Sequence, residues 1–188
     1  MVDRALTAES ARSELDDLTL ARAQRGEDAA CRALVVRYQR PVFALLSRLA
    51  GRGRVEDLAQ ETFLRVFRAL PRFDRGGPAR LSSWILTIAT RLALDELRRT
   101  PRVEVPLDDQ QPGGARADET AERRALARDL QRAFARLAPD QRAVVLLREV
   151  HELDYEEIAR ALDLDLGTVK SRLSRARASL RLALGENR

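Results

Sequence analysis

Only a few residues of this chain are of types that could perform covalent or metal chemistry. The 188-residue sequence contains one histidine, His151, and one cysteine, Cys31, so neither a two-histidine nor a multi-thiol zinc site can form. The sequence has no Gly-Lys-Ser/Thr phosphate loop, and the adjacent acids Asp108 and Asp109 lie in a stretch rich in proline and glycine. We therefore predict that the protein is not an enzyme and needs no metal or cofactor.

Arginine provides the chemistry that the sequence does offer. The chain has 34 basic against 29 acidic residues, a net charge of +5, and Lys170 is its only lysine. A guanidinium group pairs with phosphates and can bind a guanine base through two hydrogen bonds. The composition favours an acidic partner, such as nucleic acid or an anionic membrane surface, but an arginine-rich solvated surface would give the same totals.

The elements that must position these arginines are predicted to be helices. Apolar residues recur at helical spacing, and no segment is convincing as a strand. Helices are predicted over 16–25, 27–38, 41–50, 54–70, 81–100, 120–137, 140–150, 154–162 and 165–184. The fold class is therefore all-α, with two helical domains. A flexible tail is expected over 1–15, an N-terminal helical domain over 16–100, a flexible linker over 101–119, and a C-terminal helix-turn-helix domain over 120–188.

The last two predicted helices have the pattern of a helix-turn-helix. Asp154 and Glu157 can form a capping box for the first helix, and Asp163 stands where the turn needs a left-handed residue. Along the second helix a narrow apolar stripe lies opposite small and basic residues: Val169, Leu173, Ala176 and Leu180 against Ser171, Ser174, Arg175 and Ala178. A basic amphipathic helix on the surface of a bundle would have the same pattern.

Two helices of the N-terminal domain carry unusual faces. On helix 54–70 the face opposite the core stripe is acidic but includes a leucine, which suggests a protein partner, although an ordinary solvated face is a serious alternative. Its members are Asp57, Gln60, Glu61, Leu64 and Arg68. Helix 81–100 is mostly apolar except for one stripe, Trp84, Thr87, Arg91, Asp95 and Arg98, with Arg99 at its basic end. An aromatic ring beside arginines suits melted nucleic acid, but the residues alone favour a core tryptophan with flanking salt bridges.

These segments together resemble the extracytoplasmic-function (ECF) group of bacterial RNA polymerase sigma factors. Residues 56–74 resemble the family's helix that binds core polymerase, and 83–99 resemble its promoter-melting and −10 recognition helix. Residues 137–150, 155–159 and 167–177 resemble its −35-binding domain. The resemblance covers roughly 16–184 apart from the linker, and two independent segments match in the right order.

The resemblance implies a function and a role for particular residues. The expected function is to bind core RNA polymerase and direct it to promoter DNA, and an anti-sigma factor is a further partner that the resemblance allows. Core binding is expected from Asp57, Gln60, Glu61 and Leu64; −10 recognition from Trp84, Thr87, Arg91, Arg98 and Arg99; and −35 recognition from Thr168, Lys170, Ser171, Arg172, Arg175 and Arg177.

Three positions depart from the family pattern. Arg91 stands where the family often has an asparagine that helps to capture a flipped promoter base, so the usual −10 base contact is in doubt. Glu152 replaces a common glycine before the helix-turn-helix. Asp165 replaces a common proline or serine at the start of the recognition helix, which is a mild change because aspartate can cap a helix.

One other binding function remains open, that of a DNA-binding transcriptional regulator. A helix-turn-helix regulator with an N-terminal interaction domain would explain 139–184 but not the matches at 56–99.

No apolar run approaches the roughly 20 residues that span a bilayer, and the first residues lack a signal-peptide core. A single cysteine cannot form an intramolecular disulfide, which fits a reducing compartment. We expect a cytoplasmic protein without membrane insertion.

Overall fold

A computed structural model describes residues 14–99 and 121–185, and the regular structure within them is helical. The described α-helices are α1 Asp17–Gln24, α2 Asp28–Ala50, α3 Val55–Ala69, α4 Leu81–Arg99, α5 Ala121–Ala135, α6 Pro139–Val145, α7 Tyr155–Leu162 and α8 Leu166–Gly185. Short 3₁₀ turns at Arg52–Arg54 and Leu70–Arg72 flank α3, and a π-helical turn at Leu146–Val150 follows α6. The predicted all-α class is confirmed, whereas the predicted linker and most of the predicted tail lie outside the described residues.

The prediction of separate helices at 27–38 and 41–50 was wrong. Helix α2 runs uninterrupted from Asp28 to Ala50 with Pro41 inside it. A proline within a helix removes one backbone donor and crowds the preceding turn. Tyr38, Val42 and Leu45 around it are buried in the core, so the packing of this face outweighs the local loss.

Helices α2 and α4 form the centre of the N-terminal domain, and α3 packs against both of them. Leu45 of α2, Val66 of α3 and Ile85 of α4 are fully buried where these helices meet. Burial of such side chains is the main stabilising contribution, at about 1.5–3 kcal/mol each. This packing fixes which faces of α3 and α4 remain at the surface.

The C-terminal domain is built around α8, which packs against α5, α6 and α7. Leu146, Ile158 and Leu173 are buried at the centre of this domain. The domain also contacts the N-terminal domain, because α4 packs against α7 and α6. The buried Arg142 side chain crosses this boundary and donates a hydrogen bond of 3.2 Å to the carbonyl oxygen of Leu49 at the end of α2.

The backbone at Glu152 has a conformation that favours glycine. Glu152 has a φ of 57°, in the left-handed region that glycine adopts without steric penalty. A side chain in this conformation costs roughly 1–2 kcal/mol. Glycine would therefore be less strained than Glu152 at this position, which accounts for the glycine of the family pattern but not for its replacement here.

Candidate nucleic-acid interface

The helix-turn-helix is assembled by local hydrogen bonds that the sequence predicted. The Asp154 side chain accepts a hydrogen bond from the Glu157 backbone N–H at 2.6 Å, and the Glu157 side chain accepts one from the Asp154 N–H at 2.9 Å. The helix they cap, α7, ends at Asp163, whose φ of 54° and ψ of 54° are left-handed. The predicted capping box and the predicted turn conformation are both confirmed.

Asp165 starts the second helix of the motif, α8. Its carboxylate accepts a hydrogen bond of 2.7 Å from the Thr168 backbone N–H and another of 2.6 Å from the Thr168 hydroxyl. These two hydrogen bonds lower the pKa of the Asp165 carboxyl. A Cβ on Gly167 would lie 3.0 Å from the same carboxylate, which favours glycine there. The capping contact also occupies the Thr168 hydroxyl, one of the six groups predicted to meet DNA.

The outer face of α8 presents a serine and an arginine held together. Val169, Leu173 and Ala176 are buried as predicted, whereas Ser171 and Arg175 are exposed. The Arg175 guanidinium donates to the carbonyl oxygen and to the hydroxyl of Ser171, both at 3.3 Å. These contacts orient the guanidinium along the solvent face, where it can reach a ligand in a groove. Lys170 is exposed beside them.

The two other basic residues predicted on α8 are paired with acids of their own domain. Arg172 forms an ion pair of 3.3 Å with Asp140 at the start of α6. The Nε of Arg177 donates to Glu149 at 3.1 Å, and this contact raises the pKa of the guanidinium. The guanidinium groups of Arg172 and Arg177 therefore point to acids on either side of the exposed Ser171–Arg175 pair, and not outward with Arg175.

The predicted stripe on α4 is partly covered. Trp84 is half-buried and packs against Phe73, with ring centroids 4.9 Å apart. Thr87 is half-buried too, and its hydroxyl donates to the Ser83 carbonyl oxygen at 2.7 Å. Arg91 is exposed, and its guanidinium donates to the carbonyl oxygens of two α7 residues, so α7 lies beside the middle of the stripe. Arg98 and Arg99 at the end of α4 are exposed.

Sequence reasoning missed a polar cluster where α4 meets α7. The Glu157 carboxylate accepts hydrogen bonds from the Arg80 guanidinium at 3.2 and 3.1 Å and from the Ser83 hydroxyl at 2.6 Å. Burial raises the pKa of Glu157, but hydrogen bonds from Arg80, Ser83 and the Asp154 N–H outweigh it, and the net pKa is lowered. Only the capping role of Glu157 had a signal in the sequence, because its partners are distant along the chain.

The third predicted surface lies on α3, away from the boundary between the domains. Asp57 and Gln60 are exposed, and Leu64 has an exposed fraction of 43%. Glu61 accepts a hydrogen bond of 2.7 Å from Arg65 one turn later. The opposite side of α3 is buried through Val55, Ala59, Thr62 and Val66. The four predicted residues thus share one face of α3, on which three are exposed, Glu61 is half-buried, and two of the four are acidic.

Two family models match the chain over most of these elements. Sigma-70 region 2 matches residues 34–103, and Sigma-70, region 4 matches residues 127–180. The ECF RNA polymerase sigma-E factor of Escherichia coli (strain K12) is 36% identical over 177 residues, which cover 88% of this chain and 92% of that protein. The chain is an ECF RNA polymerase sigma factor. The resemblance found in the sequence is confirmed.

Solved structures support the fold of this sigma factor. The sigma factor RpoE in complex with the anti-sigma factor NepR from Bartonella quintana has a TM-score of 0.65 at 23% identity, over 84% of this chain and 98% of that chain. CnrH in complex with the cytosolic domain of CnrY has a TM-score of 0.66 at 24% identity, over 91% of this chain and 97% of that chain. Among the described residues of this sigma factor, no helix is both long and apolar enough to cross a membrane.

Proposed function

We propose that this sigma factor binds core RNA polymerase through the exposed face of α3 and recognises promoter DNA through α4 and α8. The observation that carries the proposal is the arrangement of three distinct surfaces in one chain that belongs to the ECF sigma family. One surface is acidic with an exposed leucine, and two lie on helices with outward-facing arginines. In this proposal the N-terminal domain spans 16–100, the linker 101–119 and the C-terminal domain 120–188.

Each DNA-contacting helix has its own role. On α4, we assign Trp84, Thr87, Arg91, Arg98 and Arg99 to recognition and melting of the −10 element. On α8, Ser171 and Arg175 are assigned to base edges of the −35 element, since they form the outward pair. Thr168, Lys170, Arg172 and Arg177 surround that pair and are assigned to the phosphate backbone.

The partners and setting follow from the same proposal. The protein acts in the cytoplasm, without catalytic activity, metal or cofactor of its own, and its partners are core polymerase and promoter DNA. An anti-sigma factor is a further proposed partner, because two solved proteins of the same fold are complexes with NepR and with the cytosolic domain of CnrY.

A DNA-retention experiment separates the proposed function from that of an ordinary helix-turn-helix regulator. A library of duplex DNA with randomised segments is incubated with the free protein, with core polymerase, and with both together. We expect selective retention of one −35 and −10 combination only in the third sample. Selective, tight retention by the free protein without polymerase would instead identify an operator-binding regulator.

Reversing two charges on α3 should weaken the association with core polymerase. In the Asp57→Lys, Glu61→Lys variant, like charges would replace complementary ones around Leu64, and we expect an affinity loss of about tenfold or more. The matched control is Asp17→Lys, Asp28→Lys, which reverses two exposed acids on α1 and α2. Binding to immobilised core polymerase measures the effect. Equal affinities of both variants would rule out α3 as the binding face.

Two alanine variants of α8 should have different signatures. Arg175→Ala should weaken holoenzyme binding by about 1–3 kcal/mol and relax the preference at one −35 base pair, as loss of a two-hydrogen-bond base contact does. Lys170→Ala should weaken binding to all sequences alike and reduce the salt slope by about one charge. Binding across salt concentrations and single −35 substitutions distinguishes them. The same salt effect and unchanged base preference in both variants would contradict a base-reading role for Arg175.

A further inference from the structure

The outward side of α2 lies apart from the three surfaces proposed for polymerase and DNA. Val36 and Phe43 lie two helical turns apart along the middle of this side, with exposed fractions of 66% and 40%. Arg32 and Arg40 are exposed on either side of the line that joins them. We call these four residues the outer face of α2. The opposite side of the helix is buried in the core of the N-terminal domain.

The charge of this face is not balanced by nearby acids. Between Asp28 and Glu56 the sequence contains six arginines and no acidic residue. Among the residues that the structure describes, no acid pairs with Arg32 or Arg40. A guanidinium group forms its strongest hydrogen bonds with carboxylate or phosphate oxygens. The outer face of α2 therefore favours an acidic partner.

The apolar part of the face favours a protein helix over nucleic acid. Val36 is the most exposed residue of the face, and an aliphatic side chain gains nothing from a phosphate backbone. Ala29 and Ala33 are exposed on the turns before Val36, and such small side chains let another helix approach closely. Apolar residues along one line with charged residues beside them match the mode in which an amphipathic helix docks on a surface.

A second copy of this chain does not fit the face as well. In a symmetric contact between two outer faces, the arginines of one copy would lie against the same arginines of the other. Like charges brought together in this way oppose association. The charge of Arg32 and Arg40 thus favours a separate protein with acidic residues.

The packing of the N-terminal domain separates this face from the polymerase-binding face proposed on α3. Helices α2, α3 and α4 each pack against the other two, so their outward sides point in different directions. Helix α1 also packs against α2 but leaves Val36 and Phe43 exposed. A helix docked on α2 would therefore leave the exposed surface around Leu64 uncovered.

We propose that the outer face of α2 binds an acidic amphipathic helix of a separate regulatory protein, and that this protein stays bound while the sigma factor engages core polymerase. Apolar side chains of that helix would pack on Val36 and Phe43, and its carboxylates would pair with Arg32 and Arg40. The face extends for about 16 Å along α2, which matches three turns of a partner helix. An interface of this size is at the small end of the range, so the association is transient.

The probe for this site is a synthetic helical peptide of about four turns, with leucines along one side and glutamates beside them. One matched peptide has serine in place of each leucine, and another has lysine in place of each glutamate. Fluorescence anisotropy with the full chain measures binding. We expect the acidic leucine peptide to bind about tenfold tighter than either matched peptide. No binding, or equal binding of the serine peptide, would overturn an apolar docking site.

Reversing the charge of the face should remove the acidic peptide. We expect Arg32→Glu, Arg40→Glu to weaken its binding by about tenfold or more, because like charges replace complementary ones. The matched control is Arg128→Glu, Arg136→Glu, which reverses two exposed arginines of the C-terminal domain. Equal affinities of the two variants would place the peptide elsewhere and overturn the assignment.

The apolar contact has its own matched pair of variants. Val36→Ser should weaken binding of the acidic leucine peptide by about threefold or more, since the contact buries this side chain. Leu18→Ser is the control, because Leu18 on α1 has a similar exposed fraction of 61%. An unchanged affinity of Val36→Ser would mean that apolar packing on α2 does not contribute, which the proposal requires.

The last measurements distinguish a separate protein partner from the other possible occupants. The peptide should bind the sigma factor equally well when core polymerase is bound, and its release by polymerase would overturn simultaneous binding. A dimer of the free chain that Arg32→Glu, Arg40→Glu abolishes would show that a second copy occupies the face. Weaker promoter binding by the holoenzyme of that variant than of the control would place DNA there. Either result would overturn the proposal.

Failure of the function proposed for α3 would be a separate result. The peptide measurements on the free chain do not involve polymerase. In addition, Asp57→Lys, Glu61→Lys should leave peptide binding to the free chain unchanged, because α3 presents a different side of the domain. Loss of peptide binding in that variant would place the peptide on α3 and overturn the assignment to α2.

Discussion

Truncating Leu173 to alanine should lower the free energy of unfolding by about 2–5 kcal/mol. Leu173 is 2% exposed and lies on the inner stripe of α8, where the helices of the C-terminal domain meet. Removing its branched side chain leaves a cavity that the surrounding helices can fill only in part. Because α8 carries the −35 residues, initiation at promoters that depend on the −35 element should decrease in parallel.

Denaturant unfolding followed by circular dichroism measures this effect. The matched control is Leu182→Ala on the same helix, since Leu182 has an exposed fraction of 67%. We expect the control to change the free energy of unfolding by less than about 0.5 kcal/mol. Equal losses in the two variants would mean that the inner stripe of α8 does not form the core of the C-terminal domain.

Acidification should destabilise the protein through its single histidine. Burial and the nearby Arg48 guanidinium lower the pKa of His151 to about 4, and its Nε2 atom is buried without a hydrogen-bond partner. In the unfolded chain the pKa of histidine is about 6.5. The unfolded state therefore binds more protons between these two values. The stability is fully present above pH 6.5 and decreases as the pH falls towards 4, by up to about 3 kcal/mol.

The free energy of unfolding at pH 7, 6 and 5 measures this dependence. Most carboxyl groups remain ionised over this interval, so the histidine should dominate the slope. In His151→Gln the slope between pH 6.5 and 5 should largely disappear. An unchanged slope in the variant would show that His151 is protonated as easily in the folded protein as in the unfolded chain.

Features set by neighbouring residues could be predicted from the sequence. The capping box of Asp154 and Glu157, the left-handed Asp163 and the buried stripe through Leu173 all depend on spacing within one or two turns of helix. The exposed face around Leu64 followed from the same periodicity. These features identified the helix-turn-helix and, with the family resemblance, the class of the protein.

Features that depend on distant residues could not be predicted. Pro41 indicated a helix start, but burial of the residues around it keeps α2 continuous. The residues around Trp84 favour a core position without excluding a nucleic-acid contact, and the structure shows its ring half-buried against Phe73. The contacts of Arg91 with Ala161 and of Glu157 with Arg80 join residues that are 70 and 77 positions apart in the chain. Helical periodicity carries no information about such pairs.

Run-off transcription tests the promoter-directing role most directly. Core polymerase is incubated with a library of promoter fragments whose −35 and −10 segments are randomised, with and without this sigma factor, and the RNA products are sequenced. We predict transcripts with defined start points, from templates that share one −35 and −10 combination, only when the sigma factor is present. The same transcripts with and without it, or none in either case, would contradict its role as a promoter-directing sigma factor.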